Sequence, residues 1–295
     1  MIPFAQVDVF TAEPYLGNPV AVVLESNGLD TEQMQQFANW TNLSETTFVL
    51  PPESPEADYR VRIFTPTSEL PFAGHPTIGT CHAWLEAGGQ PKVAGQIVQE
   101  CGVGLVTLRK NEGRLAFAAP PLIRGGSVDL EDIETACAVL QISRDQILGA
   151  QWADNGPGWL AIMLESAEAV LALEPDFNAV ESYDVGVVGR YPLGVVSAPS
   201  EVSAPDHPAI EVRAFFRGGG GQPAEDPVTG SLNASLAQWL LQEGRDGSPI
   251  GITAPYVAAQ GTALGRAGRV HIEESDGQIW VGGDAVTAIG GTVAL

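Results

Sequence analysis

VRIFTPTSELPFAGHPTIGTCHAWLEAGG, residues 61–89, and VRAFFRGGGGQPAEDPVTGSLNASLAQWL, residues 212–240, are one pattern written twice. Laid over each other without a gap, Val61 meets Val212, Arg62 meets Arg213 and Phe64 meets Phe215. Ala73 then meets Ala224, Pro76 meets Pro227, Gly79 meets Gly230, Ala83 meets Ala234 and Leu85 meets Leu236, at a constant spacing of 151 (212 − 61). Both copies run from a strand through a loop rich in glycine or proline to a polar residue followed by Pro, and on into a helix of small residues. The polar residue is His75 in the first copy and Asp226 in the second (226 − 75 = 151). A polar residue before Pro suits a helix start: the side chain takes the N-cap, and the missing proline N–H costs nothing in the first turn. A repeat this long predicts two similar domains, each offering one helix start to a shared cleft.

Working outward, 295 residues suit two domains of ordinary size, which the sequence divides near Arg124 into 1–124 and 125–295. A hydrophobic share of 44% is that of a globular protein. No apolar run reaches the roughly 18 residues that span a bilayer, and MIPFAQVDVF lacks the basic-then-apolar order of a secretory signal. Cys81, Cys101 and Cys137 are odd in number and widely spaced, which speaks against a disulfide framework and for a cytoplasmic location. No CxxC occurs, and the four histidines have no ligand spacing, so no metal is expected. The formal charge of −22, with only Lys92 and Lys110 as lysines, disfavours nucleic-acid binding. An anionic substrate would need locally positive potential against that field.

Along the chain, Gln6–Phe10 alternates as a half-buried strand, Gly17-Asn18-Pro19 marks a turn, and Val20–Leu24 reads as a buried strand. Asp30–Trp40 reads as a helix with Asp30 and Gln33 as a capping box. Ser44 and Glu45 then stand where a loop enters the strand ending at Leu50. Partial desolvation there would suit a general acid or base; a solvated strand-end glutamate is the plainer alternative. The helix after His75 is apolar or small nearly all round and ends at Gly88-Gly89. Its free backbone N–H groups make a small positive site suited to a carboxylate. In the second half, Leu130–Ile142 and Ala167–Leu173 read as helices, and Val185–Val188 and Leu193–Ser197 as strands. Gly218–Gly221 lacks the GK[ST] of a phosphate loop and reads as a flexible edge. The helix after Asp226 is expected to end at Gly244. Short alternating segments near Val257, Val270, Ile279 and Thr292 suit an antiparallel sheet. The fold class is therefore α+β: two pseudo-symmetric domains, each a barrel-like, curled antiparallel sheet around one central helix.

Four blocks, LGNPVAVVL (16–24), NLSETTFVL (42–50), FTPTSELPFAGHPTIGT (64–80) and EDPVTGSLNAS (225–235), resemble the signature blocks of the phenazine-biosynthesis isomerase (PhzF-like) family. That family shares its fold with diaminopimelate epimerase and proline racemase. The resemblance implies a site between two domains, a homodimer, and a proton shift on a small anionic metabolite without metal or organic cofactor. It matches Glu45 to the family's acid/base residue, and His75 and Asp226 to its polar partners. Asn18, Ser44, Gly74, Gly230 and Ser231 match substrate-contacting positions.

Four alternatives stand beside it. His75 and Asp226 could be helix caps alone. A protein on the same fold could bind a small molecule or partner without turnover. A two-thiol racemase or epimerase needs a cysteine at each helix start, where this chain has His75 and Asp226. A serine hydrolase lacks its GxSxG elbow.

Overall fold

The structure, a computed structural model, describes residues 1–111, 113–192, 207–217, 224–246 and 251–295. The strand expected at 193–197 and the glycine run 218–221 lie outside the described residues. Two compact units emerge: residues 1–118 with 280–295, and residues 119–279. The division expected at Arg124 therefore falls six residues late (124 − 118). Assigning everything after it to the second half is also incorrect, because the last strand pairs with the first.

The first unit opens with β1 (Ile2–Val9), β2 (Asn18–Val23), α1 (Thr31–Thr41) and β3 (Glu45–Leu50). β4 (Tyr59–Phe64), β5 (Glu69–Leu70), α2 (Gly74–Glu86), β6 (Gln96–Cys101), β7 (Gly104–Asn111) and β8 (Arg114–Ala118) follow. The second unit has β9 (Arg124–Gly126), α3 (Leu130–Leu140), β10 (Gly149–Asp154), β11 (Leu160–Met163), α4 (Ala167–Leu171) and β12 (Tyr183–Arg190). It continues with β13 (Ile210–Arg217), β14 (Ala224–Asp226), α5 (Gly230–Asp246), β15 (Tyr256–Gln260) and β16 (Gly268–Ser275). β17 (Gln278–Gly283) leads back, pairing Trp280–Gly283 with β8, and β18 (Ala285–Val293) lies against β1.

The sheets are mixed rather than purely antiparallel. In the first unit β2–β3 and β4–β6 are parallel pairs; in the second, β11–β12 and β13–β15 are. Each parallel step needs a crossover, and a helix supplies it: α1 and α2 in the first unit, α4 and α5 in the second. The units thus repeat one topology, with β1–β7 answering to β10–β16. α2 touches β1, β2, β3, β6, β8 and β18, so the first sheet curls round it. The approach is close enough that a Cβ on Gly79 would overlap Val20 Cγ1. In the second unit a Cβ on Gly186 of β12 would overlap Leu232 of α5. Two small residues let each sheet close onto its helix.

Local signals explain the other helices. Asp30 accepts from Gln33 N at 2.9 Å while the Gln33 side chain accepts from Asp30 N at 3.0 Å, forming the expected capping box of α1. Met34, Phe37 and Ala38 of that helix join Val23, Phe48 and Phe64 in a core outside the sheet. α3 and α4 cover the second sheet likewise, over Leu160, Ile162, Val185, Val187 and Phe215. α5 passes Gly244 and ends at Asp246, so that glycine does not stop it. No helix among the described residues is long and apolar enough to cross a membrane.

Candidate functional site

In the first unit, three of the expected residues converge at one end of α2. Asn18 is the first residue of β2 and is wholly buried; Glu45 is the first residue of β3. Parallel pairing sets Val20 beside Glu45, which brings the two strand starts together. His75 is the second residue of α2, not its N-cap as expected. Ala73 takes the cap position in an extended conformation and offers no side-chain acceptor. The reason lies in where the imidazole is held: it is 5% exposed and turned to the strands, with Nδ1 3.5 Å from Asn18 Nδ2 and 3.4 Å from Glu45 Oε2.

The first intrahelical bond of α2 runs from Thr77 N to Ala73 O, and Pro76 has no N–H. The backbone N–H groups of Gly74 and His75 therefore stand outside the helical ladder, at a buried helix start without a side-chain cap. Ser44 is exposed, just before β3.

Burial pushes the His75 imidazole down to about 3, so it is neutral at physiological pH. Its Nε2 is buried without a hydrogen-bond partner among the described residues. Glu45 is 15% exposed, a carboxylate at the rim of this pocket of polar atoms. Nδ1 of the neutral imidazole serves one neighbour at a time: unprotonated it accepts from Asn18 Nδ2, and protonated it is turned as a donor to Glu45. With so low a pKa, it does not capture a proton that the carboxylate has taken up.

In the second unit, Asp226 ends β14, four residues before α5 begins (230 − 226). It is therefore not the N-cap of that helix. β14 continues its pairing with β13 as far as Asp226, opposite Ala214, which delays the helix. Asp226 Oδ2 accepts from Thr229 Oγ1 at 2.6 Å, and Thr229 Oγ1 in turn accepts from Gln260 Nε2 at 2.9 Å. Gln260 also receives Thr229 N and Asn233 Nδ2, at 3.0 and 2.8 Å. Gly230 and Ser231 open the helix, four and five positions after the expected cap at Asp226 (230 − 226, 231 − 226). Ser231 is gripped from both its atoms: Trp159 Nε1 donates to Oγ at 3.1 Å, and Asn155 Nδ2 donates to its carbonyl at 2.9 Å. Indole N–H is a donor only, so the serine hydroxyl accepts there and keeps its own hydrogen to donate.

Sequence reasoning missed Asn155, Trp159, Thr229 and Gln260. Trp159 carries no local signal beyond an apolar strand, and its partner Ser231 is 72 positions away (231 − 159). Cys81 offers no thiol chemistry: it is fully buried within α2, where burial pushes its thiol up to about 12. Among the described residues, no group of three or more His, Cys, Asp or Glu is placed to hold a metal.

A family model described as "Phenazine biosynthesis-like protein" matches residues 7–291. The chain belongs to the phenazine biosynthesis-like (PhzF) family. Antisense-enhancing sequence 1 of Schizosaccharomyces pombe, 35% identical, is matched over 98% of this chain and 97% of that one. Trans-2,3-dihydro-3-hydroxyanthranilate isomerase of Pseudomonas fluorescens is 30% identical over 98% of both. A crystal structure of a PhzF-family protein from Enterococcus faecalis superposes with a TM-score of 0.77 at 25% identity, over 100% of this chain and 99% of that one. A structure described as a "probable proline racemase" from Agrobacterium radiobacter, at TM-score 0.55 and 14% identity over 100% and 93%, shares the fold alone. The α+β, epimerase-like architecture expected from the PhzF resemblance is the one found.

Proposed function

We propose that this PhzF-family protein is an isomerase that moves a proton along a small carboxylate-bearing metabolite, with Glu45 as acid and base and no cofactor in the reaction. The observation that carries the reading is the placement of Glu45 Oε2 3.4 Å from the Nδ1 of a neutral, buried His75. Ionised Glu45 takes a proton from an activated C–H, and the electron pair left behind delocalises into the substrate. Because His75 stays neutral, the proton remains on Glu45 and returns to another carbon. General acid–base catalysis of this kind is typically worth about 10²–10⁴-fold. The uncapped N–H groups of Gly74 and His75 are suited to the substrate's anionic oxygen, and Asn18 keeps the imidazole in place. The family resemblance counts Asp226 among the polar partners and Gly230 and Ser231 among the substrate-contacting positions, and implies a homodimer, which sedimentation would check.

The relative from Pseudomonas fluorescens supplies the first compound to try, trans-2,3-dihydro-3-hydroxyanthranilate. Turnover in D₂O should place deuterium in the product or show internal return, and Glu45→Gln should abolish it. Undiminished isomerisation by that variant would remove Glu45 from the chemistry.

A further inference from the structure

Glu45 has a counterpart. Across the antiparallel pair β3–β4, Thr46 lies opposite Phe64; across β12–β13, Val185 lies opposite Phe215. Phe64 and Phe215 are partners in the sequence repeat, so Thr46 answers to Val185, and Glu45 to Asp184. The parallel pairs agree in kind: Glu45 sits beside Val20 of β2, while Val185 sits beside Leu160 of β11, one position on from Asp184.

The faces agree too. Val185, Val187 and Phe215 point to the α3–α4 side, as Phe48 and Phe64 point to the α1 side. Alternation then turns Glu45 and Thr47 toward α2, and Asp184 and Gly186 toward α5. Thr80 of α2 donates to Thr47 at 2.8 Å, and Leu232 of α5 packs on Gly186. Asp184 is therefore one strand step beyond Leu232, at the end of α5 where Ser231 stands.

Its surroundings set it apart from a solvated aspartate. A Cβ on Gly158 would lie 3.8 Å from Asp184 Oδ2, and the next residue, Trp159, holds Ser231. Asp154 Oδ1 ties the same turn by accepting from Gly156 N at 2.7 Å and Gly158 N at 2.8 Å. Burial first, and the Asp154 charge second, push the Asp184 carboxyl up to about 6. Among the described residues Asp154 is the one charged group acting on it: its β13 neighbour is Phe216, and the first turn of α5 has no acidic residue.

We propose that Asp184 is a second proton-carrying carboxylate, standing in the second unit where Glu45 stands in the first, and serving the same class of substrate. This rests on the isomerase reading above. Protonated Asp184 gives its carboxyl hydrogen to a substrate carbanion, in place of the proton that Glu45 would return, and is left as carboxylate; Glu45 then loses its proton to water and Asp184 takes one up, which closes the cycle. No oxidant or co-reactant enters.

Two measurements on the full-length protein test it. The first is a ¹³C-carboxyl titration of aspartate-labelled protein, with the Asp184 signal assigned by its loss in Asp184→Asn. A midpoint near 6 is expected, moving down in Asp154→Asn, a substitution that keeps an acceptor oxygen for both glycine N–H groups. A midpoint at the ordinary aspartate value of 3.8 overturns the proposal. The second is the pH profile of kcat with trans-2,3-dihydro-3-hydroxyanthranilate. Asp184→Asn should lower kcat by about 10²-fold and abolish a limb near pH 6 that Asp184→Glu restores. An unchanged kcat and limb overturns the proposal. Failure of the wild-type protein to turn over this compound counts against the isomerase reading, while the titration still judges Asp184.

Discussion

The β4–β5 hairpin and its counterpart β13–β14 carry the same ion pair in opposite settings. Arg62 donates to Glu69 from Nε and Nη2 at 2.7 and 2.6 Å, with side chains 25% and 40% exposed. Arg213 donates to Glu225 in the same two-pronged way at 2.9 and 2.8 Å, but the pair is 6% and 7% exposed. Arg213 also donates through Nη1 to the carbonyls of Val170 and Leu173, tying the end of α4 to the sheet. One topology has thus been given different work in its two copies. The first gathers Asn18, Glu45 and His75 at the start of α2. In the second, Arg213, Thr229 and Gln260 tie the frame.

The largest expected consequence of that asymmetry is catalytic. If proton transfer is centred on the first unit, Glu45→Gln lowers kcat by about 10²–10⁴-fold, while Asp226→Asn, which keeps an acceptor for Thr229, loses less. Equal losses in steady-state kinetics would break the contrast. Stability should show the reverse bias. Removing one partner of a buried ion pair strands the other, so Arg213→Ala should cost about 3–5 kcal/mol in denaturant unfolding.

The pH dependence of stability separates the two units by sign. His75 has a folded value of about 3 against an ordinary 6.5, so the unfolded chain binds that proton first. Its contribution is therefore lost as pH falls from 6.5 toward 3. Asp184 has a folded value of about 6 against an ordinary 3.8, so the folded chain binds first, and its contribution is lost as pH rises from 3.8 to 6. In urea melts across this range, His75→Asn should flatten the first slope and Asp184→Asn the second. Unchanged slopes in both would show that neither group is buried as described.

How much of this was legible in the sequence depended on loop lengths. The repeat, the capping box of α1, the strand start at Glu45 and the epimerase-like fold were all readable, because each is carried by a contiguous run. Asp184 was not. Glu45 and Asp184 are 139 positions apart (184 − 45), whereas the helix repeat runs at 151, since the second unit has 12 more residues between the matching strands (151 − 139). A gapless overlay cannot find such a pair; strand register can. The helix starts failed for another reason. The His75 imidazole lies against Asn18 and Glu45 and leaves α2 without a side-chain cap, while Asp226 ends a strand and accepts from the Thr229 hydroxyl.

The smallest expected effect tests the comparison most directly. Arg62 and Glu69 make the same fork as Arg213 and Glu225, so geometry alone would give the two pairs equal worth. Water decides otherwise. An exposed pair gains little Coulomb energy, is screened by salt, and typically contributes about 0.2–1 kcal/mol. Arg62 also donates to Thr31 at 3.0 Å and stacks 5.0 Å from the Phe64 ring centroid, so its removal takes more than a charge. Arg62→Met, which keeps much of the apolar stem, isolates the ionic part. It should cost under about 1 kcal/mol and lose its effect in high salt. A cost approaching that of Arg213→Ala would mean that the hairpin geometry, rather than its burial, sets the strength of both pairs.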